Sequence, residues 1–243
     1  MRNKTFETHI LQPDDLTHAK DIFNIMNENL LTPEEFYKLD TSKKNYFSKN
    51  GFVIGYHTPQ KIKKWIENNS NHIYVVKNIE KPENPIVGYC IILSTEDIIK
   101  KIQQYSTEMI FKDHFSYDII LSGNFKYLIQ IAFLKDYKNM GLGSKLLHEI
   151  FNEIKVPLIS YVIKSPILNQ ISLYTHLKLG FTYMGLYKGR YSETKDTEFK
   201  NYQSIGLIHR ANSKLIQSHA EILKIMSEII YASFIYLFLD KGF

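Results

Sequence analysis

The stretch from Ile129 to Ile154, IQIAFLKDYKNMGLGSKLLHEIFNEI, most constrains what this chain can fold into. It reads as an apolar strand, a short polar turn with two glycines, and an amphipathic helix. Leu142, Leu146, Leu147, Ile150, Phe151 and Ile154 recur at helical spacing, so Gly141 and Gly143 stand where a strand hands over to a helix. The first turn of a helix leaves backbone N–H groups without partners at the positive end of its dipole. Glycines there let phosphates come close to the backbone. The unit therefore predicts an anion site formed by Lys138, Asn139, Met140, Gly141, Leu142, Gly143 and Ser144.

Two other phosphate-binding patterns are excluded. A dinucleotide fingerprint needs a third glycine where Leu146 stands, and no βαβ repeat follows. A nucleotide P-loop needs Gly-Lys-Ser/Thr, whereas the order here is Gly143, Ser144, Lys145. The turn resembles instead the pyrophosphate motif of the GNAT superfamily of acyl-CoA-dependent N-acyltransferases, Arg/Gln-x-x-Gly-x-Gly/Ala, with Lys138 in the first slot. A second match lies downstream, NQISLYTHLKLGF from Asn169 to Phe181. It is similar to the family's Asn-x-x-Ala/Ser-x-x-x-Tyr-x-Lys-x-Gly-Phe, with Asn169, Ser172, Lys178, Gly180 and Phe181 in register. His176 stands where the family carries tyrosine.

The resemblance implies a mixed α/β fold, a central mixed sheet flanked by helices. It implies a GNAT domain over residues 5–210, followed by a helical extension over 211–243. Composition agrees with a packed domain: 44% of residues are hydrophobic and 14% aromatic, which excludes disorder. The net charge of +5 is spread along the chain without a basic block, so a nucleic-acid partner is not expected. The lone cysteine, Cys90, cannot form an internal disulfide and sits in an apolar run, where it reads as a small core residue. The first fifteen residues hold no apolar signal region, so a cytoplasmic location is expected.

In chain order, Phe6 to Leu11 reads as a strand, and a helix follows with Leu16, Ala19, Ile22, Phe23 and Met26 on one face. Two short helices start at Thr32-Pro33 and Thr58-Pro59, each with a capping threonine and a first-turn proline. His72 to Lys77 and Ile86 to Leu93 predict a hairpin. Thr95, Glu96 and Asp97 open a helix carrying Ile98, Ile99, Ile102 and Tyr105. Against the family pattern, residues 95–124 form an insertion. Phe125 to Leu134 and Leu158 to Lys164 form a parallel pair joined by the turn helix. Thr182 to Lys188 and Gln203 to His209 read as further strands, and Ser213 to Leu239 as a helix whose apolar end is too short to span a bilayer. That helix is expected to pack on its own domain or on a second subunit as a homodimer contact, and membrane-surface attachment is the weaker alternative.

The chemistry comes from the resemblance. It implies acetyl-CoA as acyl-donor substrate, a primary amine acceptor, no metal, and direct attack in a ternary complex. The pantetheine arm of such proteins lies between the two splayed strands, which here sets Phe133, Leu134 and Lys135 beside it. The Phe133 backbone N–H then polarises the thioester carbonyl. Asn169, Ser172 and His176 fall on one helical stripe. His176 is the candidate proton donor to the departing sulfur; the other reading is a packed helix residue. Tyr174 points away and reads as core. No carboxylate lies between Phe125 and Leu134, where several family members carry a glutamate. Tyr127 occupies about that place and relays a proton only through water. Glu193, Asp196 and His114 are further candidate bases, each also a solvated loop residue. Tyr183, Tyr187 and Tyr191 either line the acceptor cleft or pack. The alternative function is a non-catalytic acyl-CoA-binding sensor or assembly module.

Overall fold

The structure, a computed structural model, describes residues 5–81, 83, 85–96, 99, 100, 109–190, 201–210 and 212–239. Eight strands form one sheet: β1 (Phe6–Ile10), β2 (His72–Asn78), β3 (Ile86–Leu93), β4 (Met109–Phe111), β5 (Lys126–Phe133), β6 (Leu158–Ser165), β7 (Thr182–Arg190) and β8 (Asn201–His209). Their spatial order is β1-β2-β3-β5-β6-β8-β7-β4. Only β5 and β6 run parallel; every other neighbouring pair is antiparallel.

The helices are α1 (Ala19–Asn29), α2 (Pro33–Lys38), α3 (Thr41–Asn50), α4 (Pro59–Glu67), α5 (His114–Ser122), α6 (Leu142–Glu153), α7 (Gln170–Lys178) and α8 (His219–Leu239). Those with α1 and α4 cover one face of the sheet, where Ile22, Met26, Ile62 and Trp65 pack on Val75, Tyr89 and Ile91. On the other face, Leu146, Leu147 and Ile150 of α6, Leu173 and Leu177 of α7, and Ile222 and Met226 of α8 pack on Val87, Cys90, Val162 and Leu207.

The predicted elements appear with four differences, one of them the unpredicted helix α5 within the insertion, where the sequence reads His114 as a loop residue. Between α2 and α4 lies α3, which has no buried residue and so gives no periodic signal. Its start is set by Asp40, whose carboxylate accepts the Lys43 N–H at 2.8 Å. The C-terminal helix begins at His219 rather than Ser213. The insertion supplies an edge strand, β4, which crosses the sheet to pair with β7. Residues 95–96 and 99–100 are helical as expected, but Ile98, Ile102 and Tyr105 lie outside the described residues, as do the side chains of the apolar run from residue 233 onward on which a homodimer contact is expected.

Two features of β5 position the site. Its ladder with β6 covers only Lys126 to Leu128 against Leu158 to Ser160, so the two strands part beyond that point. Its register with β3 shifts by one residue at Ile129, a bulge that turns Ile129 and Gln130 to the α1 face and Phe133 to the α6 face.

Candidate active site

Where β5 and β6 part there is a cavity of about 520 Å³, lined from both layers of the protein. At one end is the glycine turn. Gly141 takes φ 77°, the left-handed region open to glycine, and forms the N-cap of α6 with no side-chain cap. A Cβ added to Gly141 would have nothing within 4 Å, so the space beside this residue is open. Lys138 lines this end; its ammonium donates to the Gly51 carbonyl at 3.2 Å, and burial lowers its pKa from the usual lysine value. Asn139, also with positive φ, donates its amide to Asn50 Oδ1 at 3.2 Å.

A strap of chain after α3, residues 51–57, crosses the gap. Val53 exchanges backbone bonds with Asn29 and Leu31 at 2.9 Å on one side. From the other side Asn169 Nδ2 donates to Phe52 O and Gln130 Nε2 to Gly55 O, both at 2.9 Å. Asn169 is the N-cap of α7, with its Oδ1 accepting the Ser172 N–H at 3.4 Å, and it lines the cavity together with Ser172 and His176. Gln130, overlooked in the sequence, is the polar residue that β5 turns toward the strap. Its Oε1 accepts from Tyr89 Oη at 2.6 Å, so both ends of the amide are used. A lone amide inside an apolar strand was the available signal.

The predicted oxyanion donor, the Phe133 N–H, stands at the end of β5. Leu134 N–H donates to Val87 O at 2.9 Å, so strand alternation turns the Phe133 N–H away from β3 and toward the gap. The Phe133 carbonyl, on that same side, accepts from buried Asn29 Nδ2 at 2.9 Å. The Phe133 ring packs on Gly88 and below Gly143. Leu134, Lys135 and Met140 stand apart from the cavity lining. The Lys135 N–H is taken by the Glu28 carboxylate, and Met140 is 55% exposed.

His176 lines the cavity from α7 and is 2% exposed. Its Nδ1 lies 2.7 Å from the Ser172 carbonyl, which can only accept, so Nδ1 carries the proton and Nε2 presents a lone pair. Nε2 has no partner among the described residues. Burial lowers the pKa to about 4, so the ring is neutral at pH 7 and accepts rather than donates through Nε2. Ser172 Oγ is 3.5 Å from Nδ1, the protonated nitrogen, and is not activated as a nucleophile. Tyr174 is half-buried against the core as read, but it also reaches the cavity lining, and its Oη pairs with His219 of α8 at 2.9 Å.

Because the folded pKa of His176 lies below the unfolded value of about 6.5, the unfolded chain binds more protons between those limits. Stability therefore falls as pH drops from about 6.5 to about 4, by on the order of 3 kcal/mol from this residue. His176→Phe is expected to flatten that part of the pH dependence of urea unfolding. A slope equal to the wild type's would mean the imidazole is not buried neutral.

Tyr127 lines the opposite end with Tyr161, Tyr187 and Tyr202. These rings belong to β5, β6, β7 and β8, with successive centroids 5.8, 5.7 and 6.0 Å apart. Of the predicted tyrosines, Tyr187 is here, while Tyr183 lies against the layer that holds α7 and α8. Tyr191, Glu193 and Asp196 lie outside the described residues, and His114 is exposed at the start of α5, away from the cavity. No aspartate or glutamate lines the cavity among the described residues.

A strand, a glycine turn opening a helix, a parted parallel pair and a second capped helix behind the gap are the layout that both sequence motifs imply. The profile of the Acetyltransferase (GNAT) family matches residues 34–181, more than half of the chain, and the chain belongs to that family. Among curated proteins no sequence matches it. Similar solved structures include Arabidopsis thaliana NAA60 in complex with a bisubstrate analogue, at 11% identity and TM-score 0.50 over 86% of this chain and 100% of that one. Another is the same plant's NAA60 with acetyl-CoA, at 13% identity and TM-score 0.49 over 86% and 100%. A third is the ribosomal-protein-S18-alanine N-acetyltransferase of Escherichia coli, at 15% identity and TM-score 0.45 over 88% and 99%. At such identities the first likeness speaks for the fold. No helix among the described residues is long and apolar enough to cross a membrane.

Proposed function

We propose that this protein transfers an acetyl group from acetyl-CoA to a primary amine by direct attack in a ternary complex. The observation that carries the reading is the cavity itself, which joins an uncapped glycine turn to a tyrosine-lined end through the gap between β5 and β6. The turn offers backbone N–H groups to the pyrophosphate, with Lys138 beside them, and Asn139, Leu142, Gly143 and Ser144 complete that end. The Phe133 N–H is the donor that stabilises oxygen charge as the amine adds to the thioester. Direct transfer is favoured because Cys90 is buried with its thiol pKa raised, away from the cavity, and Ser172 has no base. His176, neutral, serves as an acceptor for a polar hydrogen entering the gap, and the acid role is the weaker one.

The same proposal assigns residues 5–210 to the transferase domain and 211–243 to a helical extension, whose Ile222, Met226 and Ile229 pack on the layer of α7. A cytoplasmic location is proposed from the lone cysteine. A second reading, an acyl-CoA-binding module without turnover, draws on the lack of a lining carboxylate among the described residues. The two separate in one assay, thiol release from acetyl-CoA with a mixed library of primary amines. Amine-dependent release is expected; tight CoA binding with no release for any amine favours the module.

A further inference from the structure

Strand β1 lies at one edge of the sheet, and among the described residues it pairs with β2 alone. The ladder fixes which of its backbone groups point outward. Leu11 N–H donates to Ile73 O at 2.8 Å and Ile79 N–H to Thr5 O at 3.0 Å, so the odd-numbered residues bond to β2 and the N–H and C=O groups of Phe6, Thr8 and Ile10 face away from it. The helices over this half of the sheet are set back from the edge: α1 makes its main sheet contacts with β3 and β5, and α4 with β2. The exposed Lys145 ammonium reaches the outward Phe6 carbonyl at 3.4 Å, a long bond to an oxygen that can accept a second. Edge backbone of this kind is a template for another strand.

The side chains of β1 say which strand fits. FETHI reads apolar, acid, threonine, histidine, apolar, and in reverse it is its own complement. Laid antiparallel about Thr8, one copy sets Phe6 against Ile10 of the other, Glu7 against His9, and Thr8 against Thr8, and each outward N–H meets an outward carbonyl. Moving the twofold axis by one residue either way would stack Glu7 on Glu7 or His9 on His9, so charge selects the Thr8 register. Glu7 and His9 share one face of the strand, 3.7 Å apart and 44% and 43% exposed, within reach of a second copy. On the other face Phe6 and Ile10 are only partly buried against the α6 layer, and the cross-pairs would cover them further.

From this geometry we infer that two copies of the chain associate through β1, as a twofold antiparallel pair centred on Thr8 that joins their sheets. The inference does not depend on the acetyl-transfer reading. A single five-residue strand makes a small interface, so the dimer is expected to be reversible, with a Kd of about 1–100 μM.

The test is sedimentation equilibrium of the full chain across that concentration range, where a monomer–dimer equilibrium is expected. Thr8→Pro removes the central outward N–H and no bond to β2, a position where edge strands tolerate proline. It is expected to be monomeric throughout, with a urea midpoint close to the wild type's. His9→Glu sets carboxylate against carboxylate at both symmetry-related pairs and is expected to weaken the dimer by about tenfold; adding Glu7→Lys to it restores association. A wild type that stays monomeric overturns the inference, as does a dimer that Thr8→Pro leaves intact, which would lie on another face such as α8. A double variant as weak as His9→Glu alone overturns the Thr8 register, and this charge pair decides the matter should Thr8→Pro fail to fold.

Discussion

Gly141→Val is expected to weaken acetyl-CoA binding by about 100-fold while leaving the chain folded, the largest effect of a single substitution at this site. Gly141 sits at φ 77°, where a β-branched residue is strained by roughly 1–2 kcal/mol. That strain lowers stability modestly, because the new side chain meets no protein atom within 4 Å of its Cβ. That open space adjoins the start of α6, the end of the helix to which the proposed function assigns the phosphates. Valine fills it and shifts the turn, so affinity suffers far more than fold. Calorimetry with acetyl-CoA measures the first quantity and urea unfolding the second. Wild-type affinity in this variant would place the pyrophosphate elsewhere.

Gly88→Ala tests the floor beneath that turn. A Cβ at Gly88 would lie 2.1 Å from Phe133 Cδ1, inside the ring's contact surface. The ring cannot simply rise, because Gly143 is above it, with its own Cβ position 3.5 Å from Phe133 Cε2. One methyl group therefore has to displace an aromatic ring from a packed core, at a cost of about 2–3 kcal/mol. It also moves the backbone of Phe133, so the KM for acetyl-CoA is expected to rise. In a Phe133→Ala background the added methyl should cost under about 1 kcal/mol, since the clash has been removed. An unfolding cycle over the four proteins checks this; additive effects would mean the two residues do not compete for the same space.

Much of the donor end was legible because it is local. A strand, a polar turn with two glycines and an amphipathic helix announce themselves within 26 residues, from Ile129 to Ile154. The Thr32 and Thr58 caps form as read, Thr32 within a full capping box, because capping depends on residues three apart. What was not legible depended on distant neighbours. Helix α3 hides because none of its residues is fully buried. The strand β4 hides because three residues in an insertion acquire meaning only when they reach β7. Tyr161 and Tyr202 look like any strand aromatic until four strands bring them beside Tyr127 and Tyr187.

The sequence by itself determined the family, the glycine turn and the helix that backs the gap, since motif spacing and short-range periodicity need only neighbouring residues. Only the tertiary structure decided what those residues can do. The bulge at Ile129 chose which β5 side chains face the strap, by breaking the two-residue alternation that a sequence reader must assume. Burial against Phe181 and a bond to the Ser172 carbonyl decided that His176 is neutral, with an Nε2 that has no partner among the described residues. Proton affinity and face of exposure are set by long-range packing and desolvation, and neither is written in the local order of residues.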